Sequence, residues 1–354
     1  MALFLLQLEK SYLTAIIQLF SARTANFQLI VNISDVTDSV AGELDLFRQK
    51  YRVVLHSQNT LVDKVTRYVL RQQGKQIRPA MVLLSASVCG GVTDATYRAA
   101  IMVELLHSAT LIHDDVVDGA EMRRGLASIN ALWKNKVSVL MGDYMLSRGL
   151  LYSLEHRDYG FLHLVSEAVR RMSEGEILQI QKTRSLDITE DEYLGMISDK
   201  TASLLSSSCA MGAMSATDEA ARVAALKDYG ENLGLAFQIR DDLLDYTGDS
   251  GKTGKQLGID IKEKKITLPL IYALRHAPEG EQKRIRAILK SSRRRAALSG
   301  EVMSFVVEAG GLGYAASVAS DLAGKALASI SGFPDSPAKW SLVRLVEFVM
   351  KRQY

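Results

Sequence analysis

Apolar residues fill long stretches of the chain without the strict alternation that marks strands, and turn residues cut these stretches into helical lengths. A helix pair is predicted over Val36 to Gln73, ending at Gly74. After Gly74-Lys75-Gln76-Ile77-Arg78-Pro79 a further helix runs through Val88 to a stop at Gly90-Gly91. Asp94 reads as the N-cap of the next helix, which passes Met102 and Leu106 and carries Asp114 near its C-terminal end. More helices are expected over about 128–155, 159–182, 189–215 and 218–246, again from Leu268, and finally over Pro337 to Met350. Thr247 to Lys264, rich in Gly, Asp and Lys, is the longest irregular stretch and is placed to close over a ligand. Only five prolines occur, none of them between Pro79 and Pro269. Interior proline costs a helix about 3 kcal/mol, so this interval is suited to helix throughout, and the expected fold is all-α.

One acidic pattern occurs twice in these apolar runs, Asp114-Asp115-Val116-Val117-Asp118 and Asp241-Asp242-Leu243-Leu244-Asp245. On a helix the first and last carboxylates of each set lie one turn apart, about 6 Å along the axis, with the middle one turned aside by about 100°. Two unit charges at that spacing repel by about 0.7 kcal/mol in water and about 3 kcal/mol at an effective dielectric of 20. Among neighbours such as Leu111, Ile112, Val116, Val117, Leu243 and Leu244 the higher figure applies, so the clusters weaken the fold unless a cation is expected. Magnesium, a hard ion that takes one or two carboxylates and completes its shell with water and phosphate oxygens, fits that need. Two facing triads would make a metal-mediated diphosphate clamp. A single DDxxD reads better as a solvated acidic turn; the pair, with basic residues near, reverses those odds.

At 354 residues and 47% apolar composition the chain can bury a sizeable core. With 43 basic against 40 acidic side chains, a net charge of +3 gives no nucleic-acid or anionic-membrane footprint. Cys89 and Cys209 lack metal-ligand spacing and read as core thiols in a reducing compartment. The apolar start Met1-Ala2-Leu3-Phe4-Leu5-Leu6 is broken by Glu9 and Lys10, too short to span a bilayer and without a basic n-region. The expectation is a cytoplasmic protein with an N-terminal extension over residues 1–34 and a catalytic domain over 35–354.

The ordered set Gly74-Lys75-Gln76-Ile77-Arg78-Pro79, His107, the first aspartate motif with Arg123-Arg124-Gly125, Lys200-Thr201, Phe237-Gln238 with the second motif, Gly254-Lys255 and Lys265 resembles the trans-isoprenyl diphosphate synthases of the polyprenyl synthetase family over about residues 35–354. The resemblance implies a single large helical bundle of the isoprenoid synthase type with a central cavity. It also implies head-to-tail condensation of isopentenyl diphosphate with an allylic diphosphate. The allylic substrate loses diphosphate, the cation is attacked by the isopentenyl double bond, and a proton leaves; no dedicated general base is visible, and the departing diphosphate can take that proton. By the same resemblance, Asp114, Asp115, Asp118, Asp241, Asp242 and Asp245 hold Mg2+, up to three ions with bound diphosphate. Arg123, Lys200, Thr201, Gln238 and Lys255 meet the allylic diphosphate, whereas Lys75, Arg78, His107 and Arg124 hold isopentenyl diphosphate without metal. Lys265 is a further phosphate contact. Asp114, Asp115, Lys200, Asp241 and Lys255 are implied as catalytic. A homodimer is implied, as is delivery of the product to a membrane, as for a quinone side chain.

Each residue also has a plain structural reading. Arg123-Arg124 alone would be a solvated turn, Lys200 a surface lysine, His107 a core histidine, and Gln238 a bundle hydrogen-bonder; His113 is expected to be backbone-satisfied or a partner of the ligands. All would have to be coincidental at once. Gly175-Glu176 stands where short-chain members carry Gly-Gln, which bears on subtype. Short-chain members of the family floor the pocket with large aromatics at the positions of Ala109 and Thr110, so the resemblance implies an open floor here, and Leu105, Leu106 and Met102 are apolar and can line the way beyond it. That favours a long-chain product, hexaprenyl to decaprenyl, over a farnesyl or geranylgeranyl product. A non-catalytic partner subunit would be expected to lack part of a motif. A terpene cyclase or head-to-head synthase would not be expected to retain Lys75, Arg78 and Arg124.

Overall fold

The computed structural model describes residues 32–72, 74–247 and 257–351. A short α1 (Ile33–Thr37) and a 3-10 turn (Asp38–Val40) lead into α2 (Ala41–Leu55), α3 (Thr60–Arg71), α4 (Ile77–Cys89) and α5 (Asp94–Val117). A hairpin of β1 (Met122–Arg123) and β2 (Leu126–Ala127) precedes α6 (Ile129–Glu155) and α7 (Tyr159–Ser185). Then come α8 (Glu190–Ile197), a π-turn (Ser198–Ala202), α9 (Ser203–Met214) and α10 (Ala220–Thr247). The chain ends with α11 (Ile259–Lys262), α12 (Leu268–His276), α13 (Glu279–Lys290), α14 (Ser292–Glu308), α15 (Gly311–Ser329) and α16 (Pro337–Lys351). The all-α expectation holds.

Several boundaries differ from the sequence reading, each for a local reason. The pair expected over Val36 to Gln73 is α2 and α3 preceded by the short α1 and its 3-10 turn. The break between α2 and α3 falls where the Asn59 side chain accepts the N–H groups of Leu61 and Val62. Thr93, not Asp94, caps α5: Thr93 Oγ1 accepts the Thr96 N–H while Thr96 Oγ1 accepts that of Thr93 at 2.9 Å. Asp94 becomes a first-turn acid, where the helix dipole favours it. The helix expected over 189–215 is divided by the π-turn into α8 and α9. In the segment expected to be irregular from Thr247 to Lys264, residues 259–262 form α11. Residues 248–256, with Gly254 and Lys255, lie outside the described residues, as do residues 1–31 of the expected extension.

The two motif-bearing helices run through the core. Ile101, Val103 and Leu105 of α5 are fully buried, each contributing about 1.5–3 kcal/mol by leaving water. α5 packs along most of its length on α6, and α9 touches both α5 and α10. The α5–α6 approach is close because α6 presents glycine: a Cβ at Gly149 would meet Leu105 at 3.5 Å, and one at Gly142 would overlap the His113 ring. Cys89 and Cys209 are free, buried thiols. Among the described residues no single helix is long and apolar enough to cross a membrane.

Candidate active site

The first motif occupies the last turn of α5, with Asp118 as its C-cap. Asp115 points into the protein, 4% exposed, where it accepts Arg123 Nε at 2.9 Å and also pairs with Arg123 Nη2. Arg123 reaches it because the hairpin after α5 turns in two residues, Arg124 (φ 52) and Gly125 (φ 77), between the paired positions Arg123 and Leu126. Positive φ at both positions is the geometry of a tight primed hairpin, which glycine accepts freely and arginine only under strain. The turn sends the two arginines apart. Arg124 Nη1 donates to the Gln72 carbonyl at 2.8 Å, and its guanidinium lies over Gly74, where a Cβ would stand 2.6 Å from Arg124 Cζ.

Beside Arg124 is a cationic recess. Arg78, at the start of α4, contacts His107 Nε2 through Nη1 at 3.0 Å. Burial, then Arg78, Arg124 and Arg123, holds the His107 imidazole well below its usual value, so the ring is neutral and Nε2 accepts. Burial pushes Arg78 down to about 10 against the pull of Glu104. Glu104, one turn before His107 and 6% exposed, is itself pushed up by burial although Arg78 and Arg124 draw it down. Glu104, His107, Asp115, Arg123 and Arg124 line a cavity of about 30 Å3, room for a water or two, and Arg78 Nε is buried with no hydrogen-bond partner. Lys75 Nζ lies 5.0 Å from the centroid of the Phe348 ring of α16.

The second motif lies in the last two turns of α10. Asp242, 7% exposed, accepts Tyr193 Oη at 2.6 Å and Gln238 Nε2 at 2.9 Å, and burial pushes its carboxyl up to about 7. Gln238 in turn accepts Thr201 Oγ1 at 2.8 Å. Asp245 accepts the backbone N–H groups of Ile259 and Asp260 at 3.0 and 3.1 Å, which folds α11 back onto the motif. Asp260 is pushed up to about 6, by burial and then by Asp245. Lys200 Nζ lies 2.5 Å from Glu176 and 3.1 Å from Gln179, both on α7. Lys200, Thr201, Gln238, Asp242, Asp260 and Lys265 line a second cavity of about 120 Å3.

Cations connect the two motifs. Lys265 pairs with Glu263 at 2.7 Å and Asp260 at 3.7 Å. Burial opposes its charge, yet Glu263, Asp260 and Asp118 of the first motif together raise it above the ordinary lysine value. Asp114 is pushed up by burial, with Lys200 drawing it down and Glu176 and Asp118 raising it further. Asp118 and Asp114 thus share lysine neighbours with the second motif's side of the site. Among the described residues no three acids, histidines or cysteines converge as a ready cage. The donors on offer are all carboxylate, suited to a hard divalent ion that borrows its remaining ligands from water and phosphate.

Glu104, Tyr193, Gln179 and Asp260 join the site without having been picked out from the sequence. The signal for Glu104 was a lone acid in the apolar run before His107, and for Asp260 an acid five residues before Lys265. His113 is satisfied as expected, by the Val139 carbonyl at 3.2 Å, with Asp143 3.3 Å away. Ala109 is 1% exposed and the Thr110 hydroxyl donates to the His107 carbonyl at 2.9 Å. Neither lines the two cavities.

Two acid-rich helices in an all-α bundle, flanked by separate cationic recesses, define an isoprenoid synthase fold. The polyprenyl synthetase family model matches residues 59–305. Octaprenyl diphosphate synthase of Escherichia coli (strain K12) is 34% identical over 322 residues, covering 91% of this chain and 99% of that protein. A decaprenyl diphosphate synthase structure from Rhodobacter capsulatus superposes with a TM-score of 0.86 at 32% identity, covering 91% of this chain and 100% of the other. A polyprenyl synthase from Caulobacter crescentus CB15, complexed with calcium and isoprenyl diphosphate, gives 0.84 at 30% identity, with 93% and 100% covered. The chain belongs to the polyprenyl synthetase family and is a prenyltransferase. Divalent metal binding and prenyl diphosphate substrates fit that family.

Proposed function

We propose that residues 35–354 form the catalytic unit of a long-chain all-trans polyprenyl diphosphate synthase, which condenses isopentenyl diphosphate head-to-tail with an allylic diphosphate. The observation that carries this reading is the presence of two chemically different recesses, one lined by Asp115 of the first motif and the other by Asp242 of the second. One, with Arg78, neutral His107 and Arg124, offers cations and a hydrogen-bonding imidazole, and its one motif carboxylate, Asp115, is already paired with Arg123, as suits a diphosphate that never ionises. The other, with Lys200, Thr201, Gln238, Lys265 and the carboxylates of the second motif, suits a diphosphate that departs.

Asp114, Asp115, Asp118, Asp241, Asp242 and Asp245 would hold Mg2+, up to three ions, which when bound supplies Lewis-acid stabilisation of the leaving diphosphate. Lys200, Lys265 and Lys255 would face the same oxygens, Arg123 would hold Asp115 in place or turn to phosphate, and Lys75 would join Arg78 and Arg124 on the second substrate. The divergence of Arg123 and Arg124 at the hairpin supports their serving different diphosphates. The small Ala109 supports a long product. Val139, Leu140, Leu151 and Leu154, on the part of α6 after its break at Lys134, are all at least 40% exposed and fall on one arc of about 120°, which supports a homodimer through that face.

Incubating purified protein with Mg2+, labelled isopentenyl diphosphate and each allylic primer tests the reading. Hexaprenyl to decaprenyl products are expected. Farnesyl or geranylgeranyl diphosphate as the end product would transfer the protein to the short-chain group, and no condensation at all would overturn the catalytic assignment.

A further inference from the structure

We propose that Arg171, acting through Ser198, Asp199 and Glu231, is a positioning residue that holds the π-turn in the register that presents Lys200 and Thr201 to the allylic diphosphate. A π-turn is a rare, single-turn widening of a helix, and it persists only where its surroundings fix it. Here the fixing group is one guanidinium. Arg171 Nε donates to Asp199 Oδ1 at 2.7 Å, and Nη2 donates to Ser198 Oγ at 2.6 Å and to Glu231 Oε1 at 2.9 Å. Ser198 Oγ also donates to Glu231. Ser198 and Asp199 open the π-turn, and Lys200 and Thr201 follow directly.

The clamp ties together three of the elements that build the second recess, α7, the π-turn and α10. Glu231 lies on α10 two turns before Gln238, the residue that accepts Thr201 Oγ1. On α7, Arg171, Gly175 and Gln179 are spaced by four and share one face. Gly175 lets that face close on the turn, since a Cβ there would stand 3.0 Å from the Lys200 N, and Gln179 receives Lys200 Nζ. Arginine suits the task because its planar fork meets two carboxylates and a hydroxyl at once; a lysine ammonium keeps the charge and loses that geometry.

The inference rests on the reading that Lys200 and Thr201 meet the allylic diphosphate, so Lys200→Ala is the reference variant. Steady-state kinetics with each substrate varied, together with thermal melts, would be recorded for the full chain carrying Arg171→Lys, Glu231→Gln, Lys200→Ala and the Arg171→Lys/Lys200→Ala pair. The expected result is a rise of about tenfold or more in KM for the allylic substrate, or an equal fall in kcat, for Arg171→Lys and Glu231→Gln, with KM for isopentenyl diphosphate unchanged. The double variant should add little to Lys200→Ala, as for groups acting through one another. If Arg171→Lys does not fold, Glu231→Gln carries the test alone. Unchanged allylic kinetics, or equal rises in both KM values, would overturn the clamp while Lys200→Ala still shows its defect. If Lys200→Ala itself leaves the allylic kinetics intact, the assignment of Lys200 fails and the clamp's functional role fails with it.

Discussion

Ala109→Tyr probes the product-length reading most directly. Ala109 lies five residues before Asp114, about 7.5 Å down α5 from the first acidic motif. On the facing helix Gly142 lies against His113 and Gly149 against Leu105, so the antiparallel register brings the fully buried Met145 to the level of Ala109. A phenol ring added here has two destinations. If it enters a path followed by the growing chain, elongation stops after one or two additions and farnesyl or geranylgeranyl diphosphate accumulates. The first condensation persists, because Asp114 is more than a turn away and His107, two residues before Ala109, lies about 200° round the helix on another face. If it meets only packed core, the cost is overpacking of about 1–3 kcal/mol, seen as a lower melting temperature with the product length untouched. Mass analysis of the dephosphorylated prenols beside a thermal melt separates the two. A graded series, Ala109→Val then Ala109→Leu then Ala109→Tyr, should shorten the product step by step. A folded Ala109→Tyr enzyme that still makes the wild-type length would refute the tunnel along α5.

Three further outcomes are expected. Asp114→Ala and Asp241→Ala should each lower kcat about a hundredfold or more while circular dichroism stays native, and near-normal turnover in saturating Mg2+ would remove either residue from the metal site. Glu176→Gln should lower KM for the allylic substrate by no more than about fivefold, since it releases Lys200 from an ion pair about one-third exposed and worth about 1 kcal/mol; a large rise in KM would mean that Glu176 helps hold substrate or metal. Glu104 has a folded pKa above its unfolded value, so its contribution to stability is full below about 4.5 and is lost as pH rises through the folded value. Glu104→Gln should therefore gain melting temperature relative to wild type as pH increases from 4 to 8, and a difference that is flat with pH would show that Arg78 and Arg124 fully compensate the buried charge.

The helices and both motifs were legible because they depend on local pattern. Caps, glycine stops and a proline-free interval set element ends to within a few residues, and an acidic triad in an apolar run announces itself. What stayed hidden depends on tertiary contact or on geometry without a sequence period. Residues 189–215 read as one helix because a π-turn inserts a residue without changing the apolar pattern around it, so the element that presents Lys200 and Thr201 was invisible. Arg171, Asp199 and Glu231 come from three separate elements, each an ordinary charge on an amphipathic helix until the fold joins them. Glu104 looked like an isolated acid, and only its burial against Arg78 and Arg124 gives it meaning. The N-cap of α5 was missed by one residue because Asp94 and Thr93 are both good caps, and the reciprocal bond with Thr96 decided between them.

The structure also shows how the fold tolerates six carboxylates that the sequence made look costly. In each triad the middle aspartate, turned aside by the helix pitch, is taken by the protein: Asp115 by Arg123, Asp242 by Tyr193 and Gln238. Asp245 is taken by two backbone N–H groups, and burial pushes the Asp242 carboxyl up to about 7, which favours its neutral form. The repulsion estimated for an isolated triad is thereby reduced before any ion arrives. Asp114 and Asp118 are set against Lys200 and Lys265, whose other partners are Glu176, Glu263 and Asp260. On the proposed function these lysines would meet the diphosphate, giving up carboxylate partners for phosphate, and the motif aspartates would hold the metal, which would supply their counter-charge. Lysines and motif aspartates would then keep a counter-charge, while Glu176 and Glu263, with side chains 31% and 52% exposed, can turn to solvent, so that the site gathers anionic substrates without stranding a buried unpaired ion.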